Sequence, residues 1–210
     1  MDKTQSYHHG NLEQVLIEEA TRMIGESGVE QLSMRGLAER VGVSRTAAYH
    51  HFKNKNELLC AIAEQGFYGW EKHFDALFNT KPIPLKPWLS DFVQTYIAFA
   101  QHHAEQYDLM FGRPVWKRGA PTQSLNAVSK KAFQRFVAFI REWQQQGIFT
   151  RSIDGLRLAQ VTWGMLHGIC RLLNDGVYLE GEAVENMCNA IVKVLANSIV
   201  SVSDFSGTTG

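Results

Sequence analysis

The stretch VGVSRTAAYHHFKNK, from Val41 to Lys55, contains a short turn followed by a run long enough for one helix. Glycine and serine in the Gly-Val-Ser element favour a turn and a helix cap. The run that follows carries hydroxyl, aromatic and imidazole side chains close together, and basic residues lie at both of its ends. Such a helix is either a structural element with an unusual surface or a surface that recognises a partner.

A helical wheel separates these side chains into an inner and an outer face. With about 100° between successive residues, Ala48 and Phe52 form a narrow apolar stripe, and Thr46 and His50 point to the opposite side. Polar side chains of this length can approach base edges and thymine methyl groups in a major groove. Two short helices joined by a three-residue turn also have the dimensions of a helix-turn-helix. The outer face and its flanks comprise Arg45, Thr46, Ala47, Tyr49, His50 and His51.

Local charge favours contact with a polyanion although the whole chain is neutral. The 210-residue sequence has 21 Lys and Arg against 21 Asp and Glu. Between Arg35 and Lys55, five bases face the single acid Glu39, which leaves a local charge of +4. Lys55 also stands at the first turn of the next predicted helix, where free N–H groups attract phosphate. The alternative is a solvated basic face on an ordinary helical protein. The five bases are Arg35, Arg40, Arg45, Lys53 and Lys55.

Helical periodicity extends through most of the sequence. Apolar residues recur at three- and four-residue steps from Leu12 to Ile24, and no strand-like alternation persists. Three prolines within Lys81–Pro87 interrupt the pattern. We therefore predict an all-α fold of about nine helices, with a three-helix helix-turn-helix domain followed by a larger helical domain. Ser33 and Ser44 are the predicted caps of the second and third helices, with Gly42 ending the second, and Asn54 and Glu57 have capping-box spacing at the head of the fourth. Gly66 and Gly69 within the fourth helix predict close packing or a bend. The predicted helices span residues 11–26, 33–41, 44–52, 54–78, 87–105, 106–111, 121–146, 154–174 and 182–201.

Domain boundaries and compartment follow from the same pattern. We predict a helix-turn-helix domain at residues 1–54, a helical ligand-binding and dimerisation domain at 55–202, and a frayed tail at 203–210. The N-terminus lacks an apolar signal region and no apolar run is long enough to span a membrane, so we expect a cytoplasmic protein. Three scattered cysteines without C-x-x-C spacing predict free thiols and no metal site. They are Cys60, Cys170 and Cys188.

The run LSMRGLAERVGVSRTAAYHHFKNKNELL, from Leu32 to Leu59, resembles the DNA-binding segment of TetR-family transcriptional regulators. That family has Ser or Thr, one residue and Arg, then Ile or Leu with Ala, a Gly-Val-Ser turn, Tyr-x-His-Phe and Lys-x-x-Leu. The resemblance covers about Gly10 to Leu59, including the His9–Leu12 element at the head of the first helix. The departures are Gly36, Ala48 and Lys53. The matching positions are Ser33, Arg35, Leu37-Ala38, Gly42-Val43-Ser44, Tyr49, His51-Phe52, Lys55 and Leu58.

The resemblance implies a homodimer that binds double-stranded DNA at a palindromic operator. It implies that Tyr49 and Lys55 hold phosphates together with the N-terminal end of the second helix, and that the outer face of the third helix lies in the groove. His51 and Phe52 are implied to be structural. The predicted DNA-binding residues are Ser33, Arg35, Ser44, Arg45, Thr46, Ala47, Tyr49, His50, Lys53 and Lys55.

In the second half, WGMLHG at Trp163–Gly168 and YDLMFG at Tyr107–Gly112 resemble the C-terminal domain class named for its Trp-His-Gly element. Gly164 and Gly168 share one helical face, and small residues at that spacing permit close helix approach. We predict that the helices at 154–174 and 182–201 form a two-fold, four-helix dimer interface. Plain core packing is the alternative for their apolar residues, which in the last helix are Ala190, Ile191, Val194, Leu195 and Ile199.

Apolar and aromatic residues in the long helices can line a ligand pocket, with His103 and His167 as its polar points. Simple core packing is the alternative. No nucleophile elbow, phosphate-binding loop or metal-binding motif is found, so we expect no enzyme, no cofactor and no metal. The predicted lining residues are Phe92, Tyr96, Phe99, His103, Met110, Phe111, Phe136, Phe139, Ile140, Trp143, Trp163 and His167.

Together these features predict a sequence-specific DNA-binding transcriptional regulator, a repressor released by a small apolar or amphipathic ligand. The fourth helix, from Asn54 towards Phe78, is the predicted link between the two functions. The alternative is an all-α small-molecule-binding or catalytic protein that does not read DNA.

Overall fold

The computed structural model describes residues 12–178 and 182–199. Within these residues nine α-helices follow one another, with a 3-10 turn after the first and a π-helical turn after the sixth. The predicted N-terminal His9–Asn11 element, the end of the last predicted helix at 200–201 and the predicted frayed tail at 203–210 lie outside the described residues. The helices are α1 (Leu12–Ser27), α2 (Met34–Val41), α3 (Arg45–His51), α4 (Lys55–Phe78), α5 (Leu85–His102), α6 (Ala104–Phe111), α7 (Gln123–Gln145), α8 (Gly155–Asn174) and α9 (Glu182–Ile199).

The predicted order of helices is confirmed, and most differences are at the ends. Helix α5 begins at Leu85, two residues before the predicted start at Pro87. A proline in the first turn is tolerated because the N–H it lacks has no partner inside the helix. The same helix ends at His102 and not at 105, and two short turns were not predicted. These turns span Val29–Gln31 and Pro114–Arg118.

Short local contacts explain why α2 and α3 form where they do. The Ser33 hydroxyl accepts a hydrogen bond from the Gly36 N–H at 3.1 Å, and Ser44 accepts one from Ala47 at 3.1 Å. Between the two helices Gly42 has φ 76°, a left-handed conformation that glycine adopts without steric cost. Both predicted caps and the glycine stop are therefore confirmed.

The chain divides into two compact units. The first contains the residues up to Gly66 together with Glu105–Ala127, and the second contains Phe67–Ala104 and the residues from Val128 onward. Helices α4 and α7 each contribute residues to both units. This division falls inside α4, whereas the domain boundary predicted from function lies between residues 54 and 55 and stays a prediction.

In the first unit, small and aliphatic side chains fill the core. Leu16, Leu37 and Ala48 are completely buried, one from each of the first three helices. Where α4 meets α6, a methyl group added at Gly66 would lie 2.6 Å from the Met110 sulfur. The close packing expected at this glycine is therefore confirmed.

In the second unit, aromatic rings form most of the core. Trp88 stacks on Phe92 with 5.3 Å between ring centroids and on Phe139 with 5.1 Å, which joins α5 to α7. Phe78 of α4 lies 5.0 Å from Phe139 in the same cluster. Helix α5 is also packed against α8 and α9. Among the described residues, no helix is both long and apolar enough to cross a lipid bilayer.

Candidate functional site

The outer face of α3 is open to solvent while its inner face is sealed. Ala48 is 0% exposed and Phe52 is 4% exposed, whereas Tyr49 is 47% exposed. Thr46 and His50 are also exposed. The orientation predicted by the helical wheel is therefore confirmed, and polar groups of α3 are available to a large partner.

The start of α2 carries a cap and an ion pair. Ser33 is exposed and its hydroxyl is used by the cap to Gly36. The Arg35 guanidinium donates to the Glu39 carboxylate at 2.8 Å, one helical turn further on. This hydrogen bond holds the pKa of Glu39 below its ordinary value. Contact of Ser33 and Arg35 with DNA stays a prediction.

Arg40 has a structural role that the local charge of the segment does not reveal. Its guanidinium lies 2.5 Å from a Glu19 oxygen and 2.6 Å from a Glu26 oxygen, both on α1. The hydrogen bond from Arg40 holds the pKa of Glu26 below its ordinary value. Because Arg40 is neutralised by α1, it cannot be counted with the charge offered to a partner. The side chains of Arg45 and Lys53 form no ion pair with any residue in 12–178 or 182–199.

The first turn of α4 is fixed by a capping box. The Asn54 side chain accepts from the Glu57 N–H at 3.0 Å, and the Glu57 carboxylate accepts from the Lys53 N–H at 2.8 Å. The predicted capping is confirmed. Between these residues, the Lys55 ammonium donates to the backbone oxygen of Glu30 at 3.3 Å.

His51 closes the helix-turn-helix on the side of α1. Its Nδ1 lies 3.8 Å from a Glu13 carboxylate oxygen, and its ring is 6.5 Å from that of Phe52. This location agrees with the structural role that the family resemblance implies for His51.

Most of the predicted pocket residues lie in the aromatic core of the second unit. The rings of Phe92 and Phe136 stack at 5.7 Å, so these two side chains contact each other. Met110 and Phe111 belong to the first unit. Trp143 is 7% exposed, and its indole N–H has no hydrogen-bond partner among the described residues. The buried members are Phe92, Tyr96, Phe99, Met110, Phe136, Phe139, Ile140 and Trp143.

Each of the two predicted polar points of the pocket, His103 and His167, lies beside an aromatic ring. The His103 ring lies 4.8 Å from Phe99 and 5.8 Å from His73. Trp163 packs 5.1 Å from Phe133, and the His167 ring is 6.4 Å from Trp163. Burial and, to a lesser extent, the charge of Arg171 lower the pKa of His167. No group of three or more His, Cys, Asp or Glu side chains among the described residues can hold a metal ion.

Helices α8 and α9 present an exposed apolar face. Val161 is 69% exposed, and a methyl group added at Gly164 or Gly168 would meet no described atom within 4 Å apart from the adjoining backbone of its own helix. On α9, Val194 is 54% exposed, whereas Ile191 is buried. Leu195 is buried and Ala190 is exposed, whereas the Ile199 side chain lies outside the described residues. The residues predicted for the dimer interface are therefore divided between the core and the surface.

Several contacts near the predicted DNA-binding residues were not predicted from the sequence. Asn56, next to Lys55, forms hydrogen bonds with the backbone of Ala120, which is 64 residues away in sequence. Arg118 pairs with Glu30 at 2.6 Å. An asparagine in a helix is a weak signal, since nothing in the sequence indicates which distant backbone it contacts.

Family models match both halves of the chain. Residues 16–62 match the model described as bacterial regulatory proteins, tetR family. Residues 89–195 match the model described as tetracyclin repressor-like, C-terminal domain. The finer resemblance to the Trp-His-Gly class stays a prediction.

Sequence relatives match over part of the chain. The tetracycline repressor protein class C of Escherichia coli is 47% identical over 51 residues, which are 24% of this chain and 23% of that repressor. The match thus spans about a quarter of each protein.

Solved structures match over nearly the whole chain. A protein of unknown function from Rhodococcus sp. RHA1 has a TM-score of 0.74 and 28% identity, covering 91% of this chain and 99% of the other. AibR, in a complex with isovaleryl coenzyme A and operator DNA, has a TM-score of 0.66 at 20% identity, covering 87% and 96%. The second likeness concerns the fold alone. Because the C-terminal family model matches slightly more than half of the chain and the N-terminal one matches the helix-turn-helix, the chain belongs to the TetR family of bacterial regulatory proteins.

Proposed function

We propose that this chain is a sequence-specific DNA-binding transcriptional repressor that acts in the cytoplasm and is released from its operator by a small apolar or amphipathic ligand. The observation that carries the proposal is the exposed outer face of α3, where Thr46 and His50 project opposite the buried Ala48. An α-helix of this size enters a major groove with its polar face towards the base edges. Membership of a family of regulators supports the same reading.

Phosphate contacts are assigned to the ends of the helices. Tyr49 is exposed on the flank of α3, and Lys55 lies in the first turn of α4, where unpaired backbone N–H groups favour an anion. Its hydrogen bond to the Glu30 carbonyl is exposed, so a phosphate can compete for the ammonium. Arg45 and Lys53 add positive charge and form no ion pair in the described chain, although the charge of Arg45 also acts on the Glu39 carboxylate.

A homodimer is part of the proposal. Val161 and Gly164 of α8 and Val194 of α9 are exposed and small or apolar, as a helix-to-helix interface requires. In a two-fold dimer, two α3 helices can enter successive major grooves about 34–36 Å apart, or at a larger spacing on the same face of a palindrome.

The effector is assigned to the second unit. Its aromatic core supplies an apolar environment, and the Trp143 indole N–H is a buried donor with no acceptor in the described chain. Leaving such a donor unpaired costs about 1–3 kcal/mol, which a ligand carrying an acceptor would recover. AibR was solved with both isovaleryl coenzyme A and operator DNA, which supports a ligand-controlled repressor. The alternative of a catalytic or purely ligand-binding protein has no comparable support.

The proposal is tested by selecting duplexes from a random-sequence library with the whole chain and measuring the dissociation constant of the selected duplex at several salt concentrations. The double variant Tyr49→Phe, Lys55→Ala is expected to bind on the order of a hundredfold more weakly, because each subunit of a dimer loses two phosphate contacts. Loss of the Lys55 contact also reduces the salt slope, which is the slope of log affinity against log salt concentration, by about 1 per subunit.

A matched control is Tyr68→Phe, Lys72→Ala, which makes the same two changes on exposed residues of α4 in the second unit. This control is expected to bind as the parent does. If the Tyr49 and Lys55 variant also binds as tightly as the parent, the phosphate assignments are wrong. If no duplex is enriched by the parent, the proposed function is wrong.

A further inference from the structure

A segment that follows α6 is fastened to the start of α4. We call residues 112–124, which include the π-helical turn and the first residues of α7, the strap. The Asn56 side-chain amide donates to the Ala120 backbone oxygen at 2.7 Å, and its oxygen accepts from the Ala120 N–H at 3.3 Å. One side chain thus satisfies both backbone groups of a single strap residue. The Cys60 thiol, one turn further along α4, donates to the same Ala120 oxygen at 3.8 Å.

A second fastening lies two turns along α4. The Glu64 carboxylate accepts a hydrogen bond from the Thr122 hydroxyl at 3.1 Å through one oxygen and from the Ser124 hydroxyl at 2.8 Å through the other. Charged acceptors form stronger hydrogen bonds than neutral ones. The strap is therefore held to α4 at two points that are eight residues apart on the helix.

Gly119, near the middle of the strap, has no room for a larger side chain. A methyl group added at Gly119 would overlap the Asn56 side-chain oxygen and lie 2.8 Å from the Pro114 backbone oxygen. The Pro114 oxygen is part of the backbone and cannot move independently. Glycine is thus required for the strap to approach Asn56 this closely.

Next to Gly119, the strap reaches the turn before α2. Arg118 donates to the Glu30 carboxylate at 2.6 Å, and the backbone oxygen of Glu30 accepts from the Lys55 ammonium. Lys55 therefore lies between Asn54, which caps α4, and Asn56, which binds the strap. Its ammonium contacts the turn Val29–Gln31, which Arg118 also contacts.

We propose that the strap positions Lys55 for its phosphate contact and that Asn56 is the positioning residue, an inference that rests on the proposed function. Releasing Asn56 frees the strap from the first turn of α4 and lets Lys55 and the turn Val29–Gln31 move. A displaced Lys55 no longer matches the phosphate, so DNA affinity falls although no DNA-contacting side chain has changed. The strap thereby sets the affinity of the DNA-binding face.

The test compares Asn56→Ala with Gln65→Ala in the whole chain. Gln65 is a matched control because it also lies on α4 in the first unit and uses its side-chain amide in one contact, 3.2 Å from Gln14. Asn56→Ala is expected to weaken binding to the selected duplex by about tenfold. It should also lower the salt slope towards that of Lys55→Ala. Gln65→Ala should change neither quantity.

A double-mutant cycle separates positioning from general damage. In a Lys55→Ala chain, the change Asn56→Ala is expected to have almost no further effect on DNA affinity, because the contact it positions is already gone. Gly119→Ala disturbs the strap without altering α4 and should reproduce the loss. Additive effects of the Asn56 and Lys55 changes, or parental affinity in both Asn56→Ala and Gly119→Ala, overturn the inference.

Hydrogen exchange provides a measurement that does not depend on DNA. The backbone amides of residues 29–31 and 55–58 are expected to exchange faster in Asn56→Ala than in the parent or in Gln65→Ala. Equal exchange in all three chains overturns the inference even when the parent selects a duplex. If the parent selects none, the proposed function fails while this measurement still decides whether the strap holds the turn.

Discussion

The two compact units are built from different kinds of interaction. In the first unit, the starts of α2 and α3 are fixed by hydrogen bonds between residues three positions apart, such as Ser33 to Gly36 and Ser44 to Ala47. In the second unit, the core forms from rings on separate helices, as where Phe78 of α4 and Phe92 of α5 meet Phe136 of α7. The starts of α2 and α3 in the first unit thus have locally determined geometry, whereas the aromatic core of the second depends on the assembly of distant segments.

This difference has a functional meaning. A surface that reads base pairs must hold its side chains in fixed positions, and local caps provide that rigidity over short helices. A core of stacked rings spreads its stabilisation over many contacts between helices, so it depends less on the caps at individual helix ends. The variants below are expected to distinguish the contribution of local helix caps from that of the aromatic core.

The largest effect is expected in the aromatic core. Phe74 is completely buried, and its ring lies 4.4 Å from Trp70 and 5.6 Å from Phe92. Phe74→Ala should lower the free energy of unfolding by about 3–5 kcal/mol, measured by urea denaturation. Tyr68→Ala, an exposed aromatic residue on the same helix, should change it by less than about 0.5 kcal/mol. Equal losses in the two variants would show that buried ring contacts do not dominate this unit.

The next effect concerns which positive charges DNA meets. Arg45→Gln removes an exposed charge on α3 that forms no ion pair in the described chain, and it should weaken binding to the selected duplex on the order of tenfold to a hundredfold. Arg40→Gln removes a charge already paired with Glu19 and Glu26. It should leave the salt slope unchanged, and its effect on stability should be small because surface ion pairs contribute little. A larger change in salt slope for Arg40→Gln than for Arg45→Gln contradicts the assignment of the DNA-facing charges.

A smaller effect is expected from the helix caps, with a different outcome in each unit. Ser44→Ala and Asp154→Ala each remove a cap and should each cost about 1 kcal/mol in thermal or urea unfolding. Only Ser44→Ala should also weaken DNA binding, because α3 has seven residues and little else to fix its first turn. Equal DNA affinity in the two variants would show that the cap of α3 does not position the reading face.

The smallest effect is a pH dependence in the second unit. Burial lowers the pKa of His167 below the ordinary value of 6.5, so between the two values the unfolded chain binds a proton that the folded chain does not. The stability contributed by the neutral ring is present above pH 6.5 and is lost as the pH falls through the folded pKa. His167→Gln should reduce this acid-side slope, measured by urea unfolding between pH 7 and pH 5, a window chosen around that ordinary value. A His167→Gln variant with the parental slope would contradict this assignment.

The sequence predicted the features whose causes are local. The helix order, the caps at Ser33 and Ser44, the turn at Gly42 and the inward Ala48 and Phe52 all follow from periodicity and residue type over a few positions. The partners of Arg40 could not be predicted, because its charge is the same whether a Glu of α1 or a phosphate lies beside it.

Contacts between distant segments were beyond the sequence for a physical reason. The hydrogen bond from Asn56 to Ala120 joins residues 64 positions apart. Its acceptor is a backbone oxygen, which every residue has, so the residue type at position 120 does not identify the partner. The ligand pocket is subject to the same limit. Phe92 and Phe139 are residues of a type found both in packed cores and in cavity walls. Only the three-dimensional path of the chain decides which of the two they form.

The central claim is that the outer face of α3 reads base pairs, and it is tested most directly by the ratio of affinities for the selected duplex and for a scrambled duplex of equal length. In the double variant Thr46→Ala, His50→Ala, this ratio is expected to fall by about tenfold or more, since each lost base contact removes roughly 1–3 kcal/mol of discrimination. Affinity for the scrambled duplex should stay close to that of the parent, because the phosphate contacts remain. An unchanged ratio in this variant would contradict the claim.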